Sequence, residues 1–215
     1  MFPKPERLPL VVGTAPTPGE SRQIIAKAQA STNPQPLPVL ARIRTRAMEL
    51  SSTQQRHADV IRHYLQGDPW AEVFAASYIG LELAVACATT QLESGGLNIY
   101  GQDPASSWMS DLWEKPVTRT NYLGVRRGID EGRPSNGIGR KQLTSPSLQL
   151  AADKRGGCWV DEHNCGEGDA FFLALINQTG SLWAAAYHYN GAGAAAQDYA
   201  NRFLGIVGTW RQRLA

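Results

Sequence analysis

Between Ile79 and Thr90 the chain carries one charge, Glu82, in the most apolar stretch of the sequence. The stretch continues through Gln91 and Leu92 to Glu93 and stops at Ser94-Gly95-Gly96. Such a run predicts a helix that buries nearly every side chain. Glu93 then falls on its last turn, against low-dielectric surroundings. An acid so placed resists ionising, and its pKa should rise toward the value a general acid needs. The alternative is a solvated carboxylate at a helix end, and the stretch alone does not choose between them.

With 215 residues the chain can build one sizeable core, or one domain with an appendage. A net charge of +2 without a dense basic run does not suggest a nucleic-acid partner. The arginines lean toward the C-terminal two thirds, which permits a mildly basic face toward an anionic polymer such as cell wall. Met1–Arg7 is broken by proline and the apolar patch Leu8–Val12 is short, so no signal peptide is expected. Glu72, Glu82 and Glu93 interrupt the longest apolar reach, so no span of roughly 18–20 residues arises to cross a membrane.

Eight of the 13 prolines fall in residues 1–38, which read as an arm or linker with a helical turn or more in Ser21–Ala30. Helical patterns follow at Ala41–Glu49 and Thr53–Leu65. Gly67-Asp68-Pro69 gives a stop and restart, with Asp68 suited to an N-cap and Pro69 to the first helical position. A helix from Pro69 to about Tyr78 is expected next, broken at Gly80 before the buried helix. Residues 94–140 read as a long irregular lobe, with a short helix at Asn121–Arg127 and a short hairpin at most. Further helices are expected at Ser147–Lys154, Gly168–Gln178, Ser181–Tyr189 and Asp198–Leu214. Strand-like alternation is almost absent, so the class is mainly α. Cys87 reads as a small core residue. Cys158 and Cys165, with His163 between them, read as a loop disulfide or free thiols ahead of a zinc site.

Four segments stand out in order: Glu93-Ser94-Gly95-Gly96 with Asn98-Ile99-Tyr100-Gly101; Gly137-Ile138-Gly139-Arg140-Lys141-Gln142-Leu143-Thr144; Gly156-Gly157-Cys158-Trp159 with Asn164 and Gly166; and Ala185-Ala186-Tyr187-His188-Tyr189-Asn190-Gly191 before Tyr199-Ala200-Asn201-Arg202. Together they resemble the lysozyme-like superfamily of lytic transglycosylases and goose-type lysozymes. They look closest to the muramidase-type catalytic domains in endolysins of phages that infect actinobacteria. The resemblance is strongest over residues 70–213. It implies a lysozyme-like helical domain over 39–215, with the irregular lobe forming a substrate groove and residues 1–38 outside it.

By that resemblance Glu93 is the general acid that protonates the leaving oxygen between N-acetylmuramic acid and N-acetylglucosamine. Ser94, Tyr100, Gln142, Thr144, Tyr189 and Asn190 are expected at the substrate, and Tyr189 carries the hydroxyl expected to reach the acid or the sugar. Ordinary alternatives are a glycine-rich turn for Gln142 and Thr144 and a core aromatic for Tyr189. Trp108 and Trp113 would stack on sugars or cover small cores. An inverting hydrolase also needs a base about 6.5–9.5 Å from the acid. Asp103 is the assistant expected here, with Asp111, Asp130 and Glu131 as other candidates. Related phage domains commonly have a histidine before that aspartate, and this chain has Gln102. Lytic transglycosylases need no second acid, because the muramyl 6-hydroxyl attacks and leaves a 1,6-anhydro product. The resemblance implies no cofactor and no metal, a monomer acting on peptidoglycan glycan strands, and a place in the host cytoplasm before release onto the wall. A peptidase using Cys87 with His63, His163 or His188 is the competing enzyme reading. An inactive wall-binding module is the competing non-enzyme reading.

Overall fold

The apolar run forms helix α4, Leu83–Glu93, with every residue from Ala84 to Thr90 buried. The computed structural model describes residues 8–13, 15–31 and 51–215. Within these, α1 is Pro18–Ser31, α2 Ser52–Tyr64, α3 Pro69–Ile79, α5 Arg119–Asp130, α6 Pro146–Arg155, α7 Asp161–Thr179, α8 Leu182–Asn190 and α9 Ala194–Leu214. The expected helix Ala41–Glu49 lies outside the described residues. The protein is mainly α. Pairing between extended segments among the described residues is limited to isolated bridges, Ile99 with Pro116 and Tyr100 with Trp113 and Ile138. No described helix is long and apolar enough to cross a membrane.

Local chemistry explains most boundaries. The Asp68 side chain accepts from the Trp70 amide with Pro69 at the first position of α3, and Gly80 closes that helix in the left-handed region. Thr118 and Asn121 form a capping box on α5. Helix α4 is held by α9 at three places: Arg211 pairs with Glu82 (2.7 Å), Trp210 Nε1 donates to Gln91 Oε1 (2.8 Å), and Tyr199 donates to Glu93. Helix α7 packs against α3, α8, α1 and α6.

Two expectations are corrected. Helix α7 starts at Asp161, seven residues before the predicted Gly168, and takes in Cys165, Gly166 and Gly168. Asp161 and Glu162 favour its first turn through the helix dipole. Gly168 is a packing glycine, since a Cβ there would lie 2.5 Å from the Lys141 Cβ. The two cysteines therefore do not share a loop. Both are buried free thiols, with Cys158 Sγ beside Asn164 Nδ2 (3.4 Å) and Cys165 donating to Glu72 Oε1 (3.1 Å). Second, part of the proline-rich arm belongs to the core. Ala28 of α1 is fully buried and Ile24 and Ile25 pack against the core cluster. Ahead of α1, the Leu8 carbonyl accepts from Arg211 Nη2 (3.0 Å).

Candidate active site

Glu93 ends α4 half-buried, and the Tyr199 hydroxyl donates to its Oε1 at 2.6 Å. Burial pushes its pKa up to about 7, against the Tyr199 hydrogen bond and the Lys141 charge, which both favour the anion. The partial negative charge at a helix C-terminus acts in the same direction as burial. Tyr199 is itself buried, and burial followed by the Glu93 charge lifts its hydroxyl well above the ordinary value. It is therefore a fixed donor near neutral pH.

The turn after Glu93 is backed by side chains that the sequence reading did not single out. Gly95 and Gly96 have φ of 64° and 99°, the left-handed region that suits glycine. Ser94 Oγ donates to the Arg140 carbonyl (2.8 Å), and the Gln66 amide donates to the Gly95 carbonyl (3.0 Å). Behind the turn lie four buried charges, Glu72, Arg140, Lys141 and Asp169. Lys141 Nζ touches Asp169 Oδ1 (2.7 Å) and Glu72 Oε2 (3.1 Å) and donates to the Ala86 carbonyl (2.8 Å). Glu72 Oε1 takes hydrogen bonds from Thr90 (2.7 Å) and Arg140 Nε (3.3 Å). Two cations and two carboxylates balance, which lets them stay buried. Burial opposes the charge on Glu72, but Lys141 and Arg140 hold its pKa below the ordinary value. Burial lifts Asp169 to about 6 despite Lys141. Lys141 stays charged because Asp169 and Glu72 outweigh its desolvation.

The predicted substrate residues take several places. Gln142, Thr144 and Tyr189 line one cleft of about 270 Å³, together with Ile25 and Gln29 of α1. Their polar atoms also have internal partners. Gln142 Nε2 donates to the Ile99 (3.0 Å) and Gly139 (2.7 Å) carbonyls, and its φ of 46° makes it a rare left-handed non-glycine residue. Thr144 Oγ1 donates to the Gln142 carbonyl (3.2 Å) and is exposed. The Tyr189 hydroxyl donates to the Lys141 carbonyl (2.8 Å), so the tyrosine on the acid is Tyr199 instead. Asn190 is exposed at the end of α8. Ser94 braces the turn. Tyr100 is placed in the core, fully buried with its hydroxyl on Asn121 Oδ1 (2.9 Å), because its backbone bridges to two neighbouring segments. Asp103 Oδ1 accepts from the Ala105 amide (2.9 Å) as an N-cap and makes no hydrogen bond to Glu93. Trp108 covers α5, with Nε1 on the Pro134 carbonyl (2.8 Å) and Arg133 over its ring.

The peptidase reading lacks a reactive thiol. Cys87 is fully buried, and burial, then the Glu72 charge, pushes its pKa well up. Among the described residues no group of three or more His, Cys, Asp or Glu is arranged to hold a metal ion.

Comparison with known protein families, with curated proteins and with solved structures returned no match to this chain. The signals that could have revealed the buried charges are acids set against apolar runs. Glu72 lies within Trp70-Ala71-Glu72-Val73-Phe74-Ala75, and Asp169 precedes Ala170-Phe171-Phe172. An acid buried in such a run either gives up its charge or needs a buried cation, and Arg140-Lys141 supplies two.

Proposed function

We propose that the protein is a peptidoglycan-degrading glycosidase of lysozyme-like fold that cleaves the β-1,4 bond from N-acetylmuramic acid to N-acetylglucosamine. The observation that supports this most is Glu93, a carboxyl near pKa 7 on a fixed tyrosine donor. At neutral pH a large share of Glu93 is protonated, as a general acid must be. Its proton goes to the glycosidic oxygen as the bond from that oxygen to the muramyl C1 breaks and the sugar becomes oxocarbenium-like. Tyr199 stabilises the carboxylate left behind. That carboxylate then takes a proton from the attacking nucleophile. If the nucleophile is water, a reducing muramic end results. The motif resemblance, together with the host-lysis role it implies, makes a phage endolysin the setting we favour.

A second reading is transglycosylation, in which the muramyl 6-hydroxyl attacks and Glu93 serves as acid and then base. It needs no second carboxylate, and Asp103 is engaged at Oδ1 by the Ala105 amide. Purified peptidoglycan digested with wild type and Glu93→Gln, followed by mass spectrometry, tests both. Wild type should release muropeptides and the variant none. Products lighter by one water mean transglycosylation. An active Glu93→Gln variant, or an inert wild type, would sink the proposal.

A further inference from the structure

One residue grips the turn after Glu93 at both ends. The Arg140 carbonyl accepts from Ser94 Oγ (2.8 Å), and its guanidinium Nη1 donates to the Gly96 carbonyl (2.5 Å). The same nitrogen reaches the Gln66 carbonyl (3.2 Å) and Asp161 Oδ2 (3.4 Å). The guanidinium thus lies between the loop joining α2 to α3 and the loop leaving α4. Space is made for it at Gly67, where a Cβ would lie 2.2 Å from Nη1. Its Nε is held by Glu72 Oε1 (3.3 Å), which also takes the hydroxyl of Thr90, three residues before Glu93 on α4. Glu72 is therefore bound both to α4 itself and to the residue that clamps the turn after it.

We propose that the Glu72–Arg140 pair positions Glu93, fixing the Ser94-Gly95-Gly96 turn so that the carboxyl stays at the dry end of α4 against the Tyr199 hydroxyl. Neither residue donates to or accepts from the acid; both act through the backbone that carries it. The groups that face Glu93 itself are Tyr199 from α9, Tyr189 from α8 and Lys141 from the segment 137–144. Removing the pair as a unit subtracts one charge of each sign, leaves Lys141 with Asp169, and leaves the partly exposed Asp161 with Asn98 Nδ2 (2.7 Å) in place of Arg140. A neutral glutamine in place of Glu72 still accepts from Thr90 and Cys165. Replacing a buried ion pair together avoids the uncompensated charge that a single replacement leaves. Any change at Glu93 then reports a moved or wetted carboxyl.

The test uses the full chain with Glu72→Gln/Arg140→Met, and Arg140→Lys as a second variant that keeps the charge but lacks the planar fork needed to hold Glu72 and Gly96 at once. Folding is checked by circular dichroism, and the Glu93 carboxyl is titrated by carbon NMR. The midpoint should fall from about 7 by a unit or more in the double variant and move the same way in Arg140→Lys. The kinetic readout alone rests on the proposed glycosidase reaction. There kcat should drop about tenfold or more with KM changed little, the pattern of a misplaced acid rather than lost binding. If the double variant does not fold, Arg140→Lys decides. A folded variant with wild-type midpoint and kcat overturns the proposal. A wild type that releases no glycan, combined with a midpoint that still falls, upholds the positioning role and refutes the reaction.

Discussion

Glu93→Gln should make the protein more stable above neutral pH and leave it unchanged in acid. In the unfolded chain Glu93 titrates near 4.5, and in the folded protein near 7. Below 4.5 both states hold the proton and the group is neutral to folding. Between 4.5 and 7 the unfolded state ionises first, so stability falls as pH rises. Above 7 both are ionised and the full penalty of a buried anion remains. At about 1.4 kcal/mol per pKa unit, that interval is worth about 3 kcal/mol. Glutamine has the same shape, keeps an oxygen for the Tyr199 hydroxyl and has nothing to ionise. The difference in unfolding free energy, variant minus wild type, should therefore climb from near zero at pH 4 to about 3 kcal/mol at pH 8. For a chain of this size that is roughly 6–12 °C in melting temperature. Urea unfolding of both proteins at pH 4, 6 and 8 measures it, and taking the difference cancels every other titrating group. A difference that stays flat across that range would refute the reasoning, because it would mean Glu93 ionises as a solvated carboxylate. The assay needs no substrate, so it examines the site independently of the reaction.

Tyr199→Phe removes a hydrogen bond that favours the Glu93 anion, so the Glu93 midpoint should rise by about one to two units, since hydrogen bonds to charged groups are worth about 1.5–3 kcal/mol. Carbon NMR titration reads this, and a lower or unchanged midpoint counts against it. Lys141→Met leaves Glu72 and Asp169 without their shared cation and should cost about 3–5 kcal/mol in urea unfolding at pH 7. The loss should shrink at pH 5, where Asp169, already lifted to about 6, is protonated. A loss under about 1 kcal/mol would show that the cation is not needed there.

What the sequence disclosed was local. Asp68, Pro69 and Gly80 punctuate α3 where cap chemistry says they should, and the apolar run is the buried helix it reads as. The start of α7 was hidden because Gly166 and Gly168 look like loop residues. Only the presence of Lys141 against that helix explains why a glycine belongs there. The same limit applied at the site. Burial of Glu93 was legible from its own helix, but its hydroxyl partner lies 106 residues away. The motif-level expectation put the Tyr189 hydroxyl at the acid or the sugar, but α9 brings Tyr199, ten residues on, to the acid instead. Tyr100 and Asp103 show the converse. Each stands close to Glu93 in sequence, yet the Tyr100 hydroxyl bonds Asn121 on α5 and the Asp103 carboxylate bonds the Ala105 amide.

The hydrogen bond from Arg211 to the Leu8 carbonyl spans 203 residues, and Gly13 lies against the Trp183 ring of α8. During synthesis Leu8 leaves the ribosome long before the helices it rests on exist. It must wait, unpaired, until α8 and α9 have been made and packed. This early-made segment is thus secured late, and its closure is timed by α9. Contacts of such separation are slow to form. Nascent chains halted before Arg211 should therefore leave the Leu8 strap without the contact that ties it down.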